Sequence, residues 1–523
     1  MRGNGMKWSS VTQTLREKGF EFSAVGARGE REKDFSGSKE PSGSKDPFVS
    51  GVFADHRKIL PGSVFCCIRG EKNDGHRYAA AAEAAGAAAI VCEYPVDTGL
   101  PAILVRSARE VMGETASAVY GNPASKLFMV GVTGTNGKST TTYVLRSILQ
   151  AAGVRTGLLG TIVESNGVRE RDAERTTPES CDIQRLLAGM VKNNCGACVM
   201  ETSSHGLQLG RLSGCLFDAA VFTNLYPEHL DFHKDMESYF QAKRLLFTQY
   251  SKKDRVAAIN SDDAYGARLL EEFPDARGFR VSDAANACLS AGGSVFTIEA
   301  EGLPPLPVRS PLAGTFNVSN VLAAAAALRG IEFRETEFGG TGFRGGGKID
   351  DGAVAEGIAA IPQVPGRLER HMMPNGACCI VDFAHTPEAL RNVLSTVRGF
   401  CSGRLISVFG HGGGRYQANR TALGETAASL ADLILVTMDN PRDEDPASIA
   451  ASIVEGIKKR RNTGFQVILD RKEAIRTALS VAGPGDVLVV SGKGPEKFLI
   501  AGNRKIPFSD AEIVEEWKRL ANS

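Results

Sequence analysis

No charge of either sign dominates this chain: 61 Lys and Arg face 60 Asp and Glu, leaving a net charge of +1. Without a general field to attract polyanions, binding to nucleic acid or to an anionic membrane is disfavoured, and any anion recognition has to be local. Long hydrophobic runs are missing too. The longest apolar stretch, Ala79 to Cys92, is interrupted by Glu83 and falls short of the ~20 residues a membrane span needs; no signal-type apolar block stands at the N-terminus. Eleven cysteines, an odd number set mostly in strand-like surroundings such as Cys66-Cys67 and Cys378-Cys379, do not make a disulfide framework. A soluble cytoplasmic protein in a reducing compartment is expected. What the chain does have is length: 523 residues, enough at ~100 to 200 residues per domain for about three domains, each with its own core.

Residues 27–46 are charged and rich in Ser and Gly, with a tandem hexapeptide at Ser36–Pro41 and Ser42–Pro47, and read as a disordered insertion. A second glycine-rich stretch, Phe338 to Gly352, follows a helix-like Asn320 to Arg329 and reads as a surface loop. Elsewhere short Val/Ile/Leu/Phe runs alternate with helical patterns, the mark of parallel sheets covered on both faces. Strands are predicted at 127–132, 197–201 and 218–223, with helices at 138–152 and 236–250. In the last third they are predicted at 377–383, 404–409, 432–437 and 486–490, each followed by a polar loop and a helix. Ligands of such sheets bind at the carboxyl ends of strands.

The strongest motif stands at one of those ends. Gly131-Val-Thr133-Gly134-Thr135-Asn136-Gly137-Lys138-Ser139-Thr140 joins a buried strand to a helix. Backbone N–H groups of such a turn cradle phosphates, Lys138 can reach the β and γ phosphates, and the Ser139 hydroxyl can bind Mg2+. Gly131 lies six residues before Gly137, where the strict P-loop has five. The next two strands run into Glu201-Thr-Ser203-Ser204-His205 and Thr223-Asn224-Leu-Tyr-Pro-Glu228-His229-Leu-Asp231-Phe-His233, placing carboxylates, hydroxyls and imidazoles beside the phosphate loop.

Weaker signals take the plain reading. Cys195 and Cys198 form a CxxC without a second ligand pair, which leaves strand packing. Gly410-His411-Gly412-Gly413-Gly414-Arg415 lacks the last glycine of the dinucleotide fingerprint. Lys243, on a helix over Glu237 to Tyr250, would ordinarily be a solvated charge.

Taken in order, these segments resemble the Mur ligases, ATP-dependent amide-forming enzymes of peptidoglycan synthesis, from about Val49 onward. The similarity is carried by Ser50–Arg57, Gly70–His76, GVTGTNGKST, Arg175-Thr176-Thr177-Pro178, ETSSHG, TNLYPEHLDFH and AKRLLF. Phe316-Asn317-Val-Ser-Asn320, Gly366-Arg367-Leu-Glu, Val381-Asp382-Phe-Ala-His385 and Asp439-Asn440-Pro441-Arg442 complete it. The resemblance implies an α/β protein of three domains: UDP-substrate binding at 1–123, a central P-loop ATPase with a mostly parallel sheet at 124–366, and a Rossmann-like amino-acid-binding domain at 367–523. It implies that the domains close around the reactants.

It also implies roles. Thr133 to Ser139, Asn320, Arg367 and Asp382 would bind ATP. Lys138, Glu201, His229 and Lys243 would be catalytic, with Ser139, Glu201, His229 and a carbamylated Lys243 facing Mg2+. Ala54, His56, Glu71, Lys72, Asn73, Thr176, Thr177, Ser203 and Arg211 would hold the UDP-N-acetylmuramoyl dipeptide. Arg415, Asp439, Asn440, Pro441, Arg442, Gly492 and Glu496 would bind the incoming amino acid. Within the family the chain is most similar to the branch that adds meso-diaminopimelate, the alternatives being L-lysine or another diamino acid, or a folylpolyglutamate-synthase-like ligase. A monomer without nucleic-acid or integral membrane partners is expected. Four departures stand out: His56 for a usual serine, Tyr226-Pro227-Glu228 for Ser-Arg-Asp, GHGGGRYQANR for GxGGDRDxxKR, and Pro495 for histidine in GKGPE.

Overall fold

The computed structural model describes residues 5–25, 46–70, 73–332 and 347–522. Residues 27–45 of the predicted insertion, Glu71, Lys72 and residues 338–346 lie outside the described residues. The chain divides into two compact units, Met1–Phe279 with Ala323–Val354, and Arg280–Leu322 with Ala355–Ser523.

The first unit holds two sheets. One has five strands in the order Phe22–Val25, Ala102–Val105, Ala87–Cys92, Ser63–Cys66, Gly51–Phe53, all parallel but the first. The apolar stretch from Ala79 is thus the helix Ala79–Ala84 and the strand Ala87–Cys92, with Gly86 at φ +98° turning between them.

The other sheet has eight strands, in the order Glu170–Asp172, Val163–Ser165, Thr156–Leu159, Ala197–Glu201, Phe128–Thr133, Phe217–Phe222, Ser251–Asn260, Arg277–Phe279. Phe128–Thr133 and Ala197–Glu201 are buried along their whole length and run parallel, as double-sided covering requires. The hairpin Val163–Asp172, which sequence reading did not anticipate, adds an antiparallel edge. Helix Lys138–Ala151 buries Val144, Leu145, Ile148 and Leu149. Helix Met236–Thr248 starts where Asp235 accepts the Ser238 N–H at 2.7 Å, and buries Tyr239, Phe240, Lys243, Leu246 and Phe247 as one stripe.

The second unit contains an antiparallel sheet of Ala284–Ser290, Gly293–Ile298 and Leu306–Ser310, and a six-stranded sheet. The latter runs Glu369–Met372, Cys378–Asp382, Val487–Ser491, Leu405–Phe409, Leu433–Val436, Phe465–Val467, parallel except for the first strand. The last strand of this sheet in chain order, Val487–Ser491, inserts between two earlier ones, so the carboxyl ends of three neighbours open at a switch point. Two expectations need correcting. Val487–Ser491 is followed first by a hairpin, Phe498–Ala501 with Arg504–Pro507, and only then by helix Asp510–Asn522; and the glycine-rich stretch ends by 350, because helix Asp351–Ala359 begins there. No helix among the described residues is long and apolar enough to cross a membrane.

Candidate functional site

The phosphate-type loop lies at the end of Phe128–Thr133, between the ends of Ala197–Glu201 and Phe217–Phe222. Gly134 sits at φ +147°, and a Cβ there would fall 1.8 Å from Thr223 Oγ1, so the loop rests directly on the neighbouring strand end. Thr223 Oγ1 donates to Asn136 O at 2.7 Å, and the Asn136 N–H donates to Asn224 Oδ1 at 2.8 Å. Gly137, at φ +86°, starts helix Lys138–Ala151 and leaves its first N–H groups facing the loop. Lys138 Nζ donates to the carbonyls of Gly134 and Thr135 at 2.9 and 2.8 Å, while Ser139 is buried at the same helix end.

Lys243 is 1% exposed and donates to Gly134 O at 2.7 Å, the carbonyl that Lys138 also uses. The solvated-charge reading of Lys243 therefore fails. Burial, and next the charge of Lys138, hold its pKa well below the usual lysine value, which favours the unprotonated amine. Its Nζ lies 4.5 Å from the Tyr239 ring centroid. Tyr239 Oη is 3.2 Å from Thr135 Oγ1, so helix Met236–Thr248 and the phosphate loop are held together at two points.

His205, His229 and His233 gather beside them, the His205 ring 4.9 Å from His229 and 5.4 Å from His233. His229 has φ +57°, an uncommon backbone state for a residue other than glycine, and burial lowers its pKa to about 4. It is a neutral nitrogen donor near pH 7. His233, buried with Nε2 2.9 Å from Ser204 Oγ, is lowered to about 4 by burial as well, and so is His411 of the second unit. The unfolded chain protonates these imidazoles below about 6.5, while the folded chain stays unprotonated until about 4, so stability rises with pH in that window. Lowering the buffer from pH 7 to pH 5 is therefore expected to lower the melting temperature, with about 1–3 kcal/mol of stability lost for each of the well-buried His233 and His411, and His411→Gln should shrink that drop. A melting temperature flat across the window would contradict it.

Glu201 is buried and accepts from Thr161 N at 2.8 Å and Thr161 Oγ1 at 3.0 Å. Thr161 Oγ1 lies 3.0 Å from Thr176 Oγ1; Thr177 Oγ1 donates to Glu201 O at 2.9 Å and lies 3.0 Å from Ser203 Oγ. Arg211 donates to Thr177 O at 3.2 Å. Thr176, Thr177, Ser203, Arg211 and Glu201 are thus one hydrogen-bonded group, with Thr161 a member that sequence reading missed. Glu179, also missed, takes Arg109 at 2.8 Å, Arg175 at 2.6 Å and Arg211 at 3.2 Å, so three guanidiniums share one carboxylate and leave positive charge for an anion.

Beside them opens a cavity of about 830 Å3 lined by Ala54, His56, Asn73, Tyr78, Arg109 and Arg175. His56 stacks on Tyr78 with centroids 4.3 Å apart and planes 7° from parallel. Glu71 and Lys72 lie outside the described residues.

Ser139 and Glu201 offer the hard oxygen donors that suit Mg2+, with the neutral His229 imidazole on the neighbouring strand end. Among the described residues no three His, Cys, Asp or Glu side chains converge on one point. Cys195 and Cys198 are buried thiols pushed upward by burial, Cys195 to about 11, as strand packing requires.

Asn320, Arg367 and Asp382 belong to the second unit. Asn320 donates to Asn317 Oδ1 at 3.1 Å, and the Arg367 guanidinium lies 4.7 Å from the Phe383 ring centroid. Asp382 accepts from the N–H groups of Leu368 at 2.7 Å and Ala384 at 2.8 Å, and burial raises its pKa. Arg367 and Asn317 also line a cavity of about 100 Å3.

On the same sheet, Asn440 Nδ2 donates to Glu496 at 2.8 Å, and the fully buried Lys493 donates to Asn440 Oδ1 at 3.1 Å and Glu496 at 2.8 Å. A Cβ on Gly492, at φ +113°, would fall 2.6 Å from Asp439 Oδ2. Arg442, at φ +52° just after Pro441, donates to Gly413 O at 2.5 Å. Gly412 lies between Arg442 and the exposed Arg415; burial, then the Arg415 charge, lowers the Arg442 pKa. Arg442 thus feels the charges of Arg415, Asp439 and Glu496 together, a mixed field that suits a zwitterionic ligand. Pro495 meets Gly366 instead: a Cβ on Gly366 would fall 2.3 Å from its nitrogen.

Three family models match the chain: Mur ligase family, catalytic domain at 49–123; Mur ligase middle domain at 132–328; and Mur ligase, glutamate ligase domain at 366–494. A UDP-N-acetylmuramoyl-L-alanyl-D-glutamate–2,6-diaminopimelate ligase of Geobacter metallireducens is 40% identical over 504 residues, 91% of this chain and 95% of the relative. Its namesake from Gloeobacter violaceus is 41% identical over 478 residues, 90% and 93% of the two chains. A solved structure of a ligase with that name has a TM-score of 0.62 at 29% identity, over 91% of this chain and 96% of the other. Folylpolyglutamate synthase of Mycobacterium tuberculosis shares the fold at a TM-score of 0.58 and 19% identity, but over 73% of this chain and 92% of its own.

Proposed function

The chain belongs to the Mur ligase family of ATP-dependent amide ligases, and from that premise we infer that it adds meso-diaminopimelate to UDP-N-acetylmuramoyl-L-alanyl-D-glutamate in peptidoglycan precursor synthesis. The observation that carries the reading is the convergence of Lys138 and Lys243 on Gly134 O beside Ser139, Glu201 and the neutral His229. ATP phosphorylates the D-glutamate γ-carboxylate, the amine of the amino acid attacks the acyl phosphate, and phosphate leaves the tetrahedral adduct as the amide forms. Catalysis here is positioning and neutralisation of crowded anions. Lys138 and the N–H groups at the start of helix Lys138–Ala151 hold the transferring phosphoryl group; Thr133 to Ser139 cradle the rest of the triphosphate. Ser139, Glu201 and His229 would hold Mg2+, which when bound neutralises phosphate oxygens. Asn320, Arg367 and Asp382 complete the ATP set.

The UDP-muramoyl dipeptide is assigned to Ala54, His56, Asn73, Thr176, Thr177, Ser203 and Arg211, with Glu71 and Lys72 included from sequence. The amino acid is assigned to Arg415, Asp439, Asn440, Pro441, Arg442, Gly492 and Glu496. We assign three domains, 1–123, 124–366 and 367–523, and a monomer working in the cytoplasm. The folylpolyglutamate reading has no use for a UDP-substrate domain at 49–123 and is set aside. The deciding assay is phosphate release from ATP with the UDP-muramoyl dipeptide and a panel of amino acids; release without regard to the amino acid, or only with a folate acceptor, would defeat the proposal.

Lys243 carries the finer proposal. Its unprotonated amine, the form that burial favours, would attack CO2, forming an N–C bond and releasing a proton to water, and the resulting carbamate would offer a carboxylate toward Mg2+ when bound. Lys243→Ala is expected to lose about 10²-fold or more in turnover and to regain part of it with added formate or acetate. Crystal density at Nζ checks the modification directly. Unmodified density together with an active alanine variant would refute it.

A further inference from the structure

Arg471 and Asp510 are both fully buried and stand outside every residue assigned above. Arg471 opens helix Arg471–Val481, and Asp510 opens the C-terminal helix Asp510–Asn522. Their pairing is bidentate: Nε to Oδ1 at 2.8 Å and Nη2 to Oδ2 at 2.7 Å. The remaining donors point the other way. Nη2 also donates to Ser491 O at 2.8 Å, and Nη1 donates to Met438 O at 3.2 Å.

Those two carbonyls immediately precede the two loops of the amino-acid site, Asp439-Asn440-Pro441-Arg442 and Gly492-Lys493-Gly494-Pro495-Glu496. We propose that Arg471, oriented by Asp510, is a positioning residue for the amino-acid substrate: one planar guanidinium sets the register between the loop that carries Asp439 and the loop that carries Glu496. The inference rests on the ligase reading for what the loops bind. Two features support it. The loops approach so closely at Gly492 that a Cβ would meet Asp439 Oδ2 at 2.6 Å, so a small slip between them changes the site. Their outer ends are tied by Lys493 through Asn440 and Glu496, so the Arg471 bonds at the inner ends complete a two-point brace. A lysine keeps the charge toward Asp510 but lacks the flat fork that reaches a carboxylate and two carbonyls at once.

The test uses the full chain with Arg471→Lys, and a double variant, Arg471→Met with Asp510→Leu, which replaces the buried pair by apolar groups and so removes the brace without stranding a charge. Expected for each is a rise of about tenfold or more in KM for meso-diaminopimelate, with KM for ATP and for the UDP substrate within about twofold of the parent. Amide hydrogen exchange should quicken at 438–442 and 490–496 and not elsewhere. Unchanged KM values, or a rise shared by all three substrates with a lower melting temperature, would overturn the proposal, as would failure of both variants to fold. An unmodified enzyme that ignores diamino acids would instead defeat the ligase reading, and the exchange rates of the two loops would still test the brace.

Discussion

Lys138→Ala is expected to reduce ATP-dependent ligation by about 10²- to 10³-fold or more with little loss of stability. One preorganised donor aimed at developing charge is worth that much when removed, and Lys138 stands at the loop to which the transferring phosphoryl group is assigned. Its Nζ is held ready by the Gly134 and Thr135 carbonyls, partners that a phosphate replaces without moving the loop. The loop itself depends on other contacts: the Asn136 N–H to Asn224, the Thr223 hydroxyl to Asn136 O, and the close seat of Gly134 on Thr223. Alanine is also a good residue for the first turn of a helix. Lys243 cannot substitute, because its Nζ is buried and held on Gly134 O, where burial disfavours its charged form. Phosphate release and a thermal melt on the same preparation check both halves. A folded variant with turnover near that of the parent would remove Lys138 from the mechanism.

Much of this arrangement is legible in sequence because apolar runs followed at once by glycine or polar residues mark strand ends. Ala197–Glu201 was expected at those bounds, and Phe128–Thr133 and Phe217–Phe222 within one residue. Lys243 is misread from its residue type as a solvated charge, and only the family resemblance singles it out, although its spacing holds the signal of burial. It falls four residues after Tyr239 and four before Phe247, on the stripe that helix Met236–Thr248 buries, and spacing outweighs the residue's usual preference for water.

Other parts left weaker traces. Ala284–Ser290 is mostly exposed and has no apolar alternation, so its sheet goes unannounced; the hairpin Phe498–Pro507 has an outer strand exposed at every residue. Thr161 and Glu179 carry no motif, and their roles come from partners brought close by folding. Arg471 depends on Asp510, 39 residues away, and on two backbone carbonyls that no side-chain pattern encodes. The seat of Pro495 against Gly366, next to Arg367, likewise joins segments far apart in the chain.

The choice of amino acid turns on one carboxylate, since meso-diaminopimelate and L-lysine differ only there. Arg442 and Arg415 flank Gly412, and the Arg415 charge adds to the cost of charging Arg442. A carboxylate between them relieves that repulsion and can take parallel hydrogen bonds from a guanidinium; lysine leaves both cations facing an empty space. Removing one partner from a buried, hydrogen-bonded charge pair costs ~2 to 5 kcal/mol, which at ~1.4 kcal/mol per tenfold corresponds to roughly 30- to 4,000-fold. Because Arg442 is only partly buried, the lower part of that range applies. The amino end is assigned to Asp439 and Glu496, which both substrates would use alike, so these two would add affinity without discrimination. We therefore expect kcat/KM for meso-diaminopimelate to exceed that for L-lysine by at least an order of magnitude, and Arg442→Ala to collapse the ratio. Arg442 also donates to Gly413 O from a backbone at φ +52°, so alanine frees the glycine loop as well as removing charge. Arg442→Lys separates the two effects: it retains a cation but not the fork, and should keep part of the preference while alanine keeps none. Equal or better use of L-lysine by the unmodified enzyme would overturn the diaminopimelate assignment and leave the family's ligase chemistry standing.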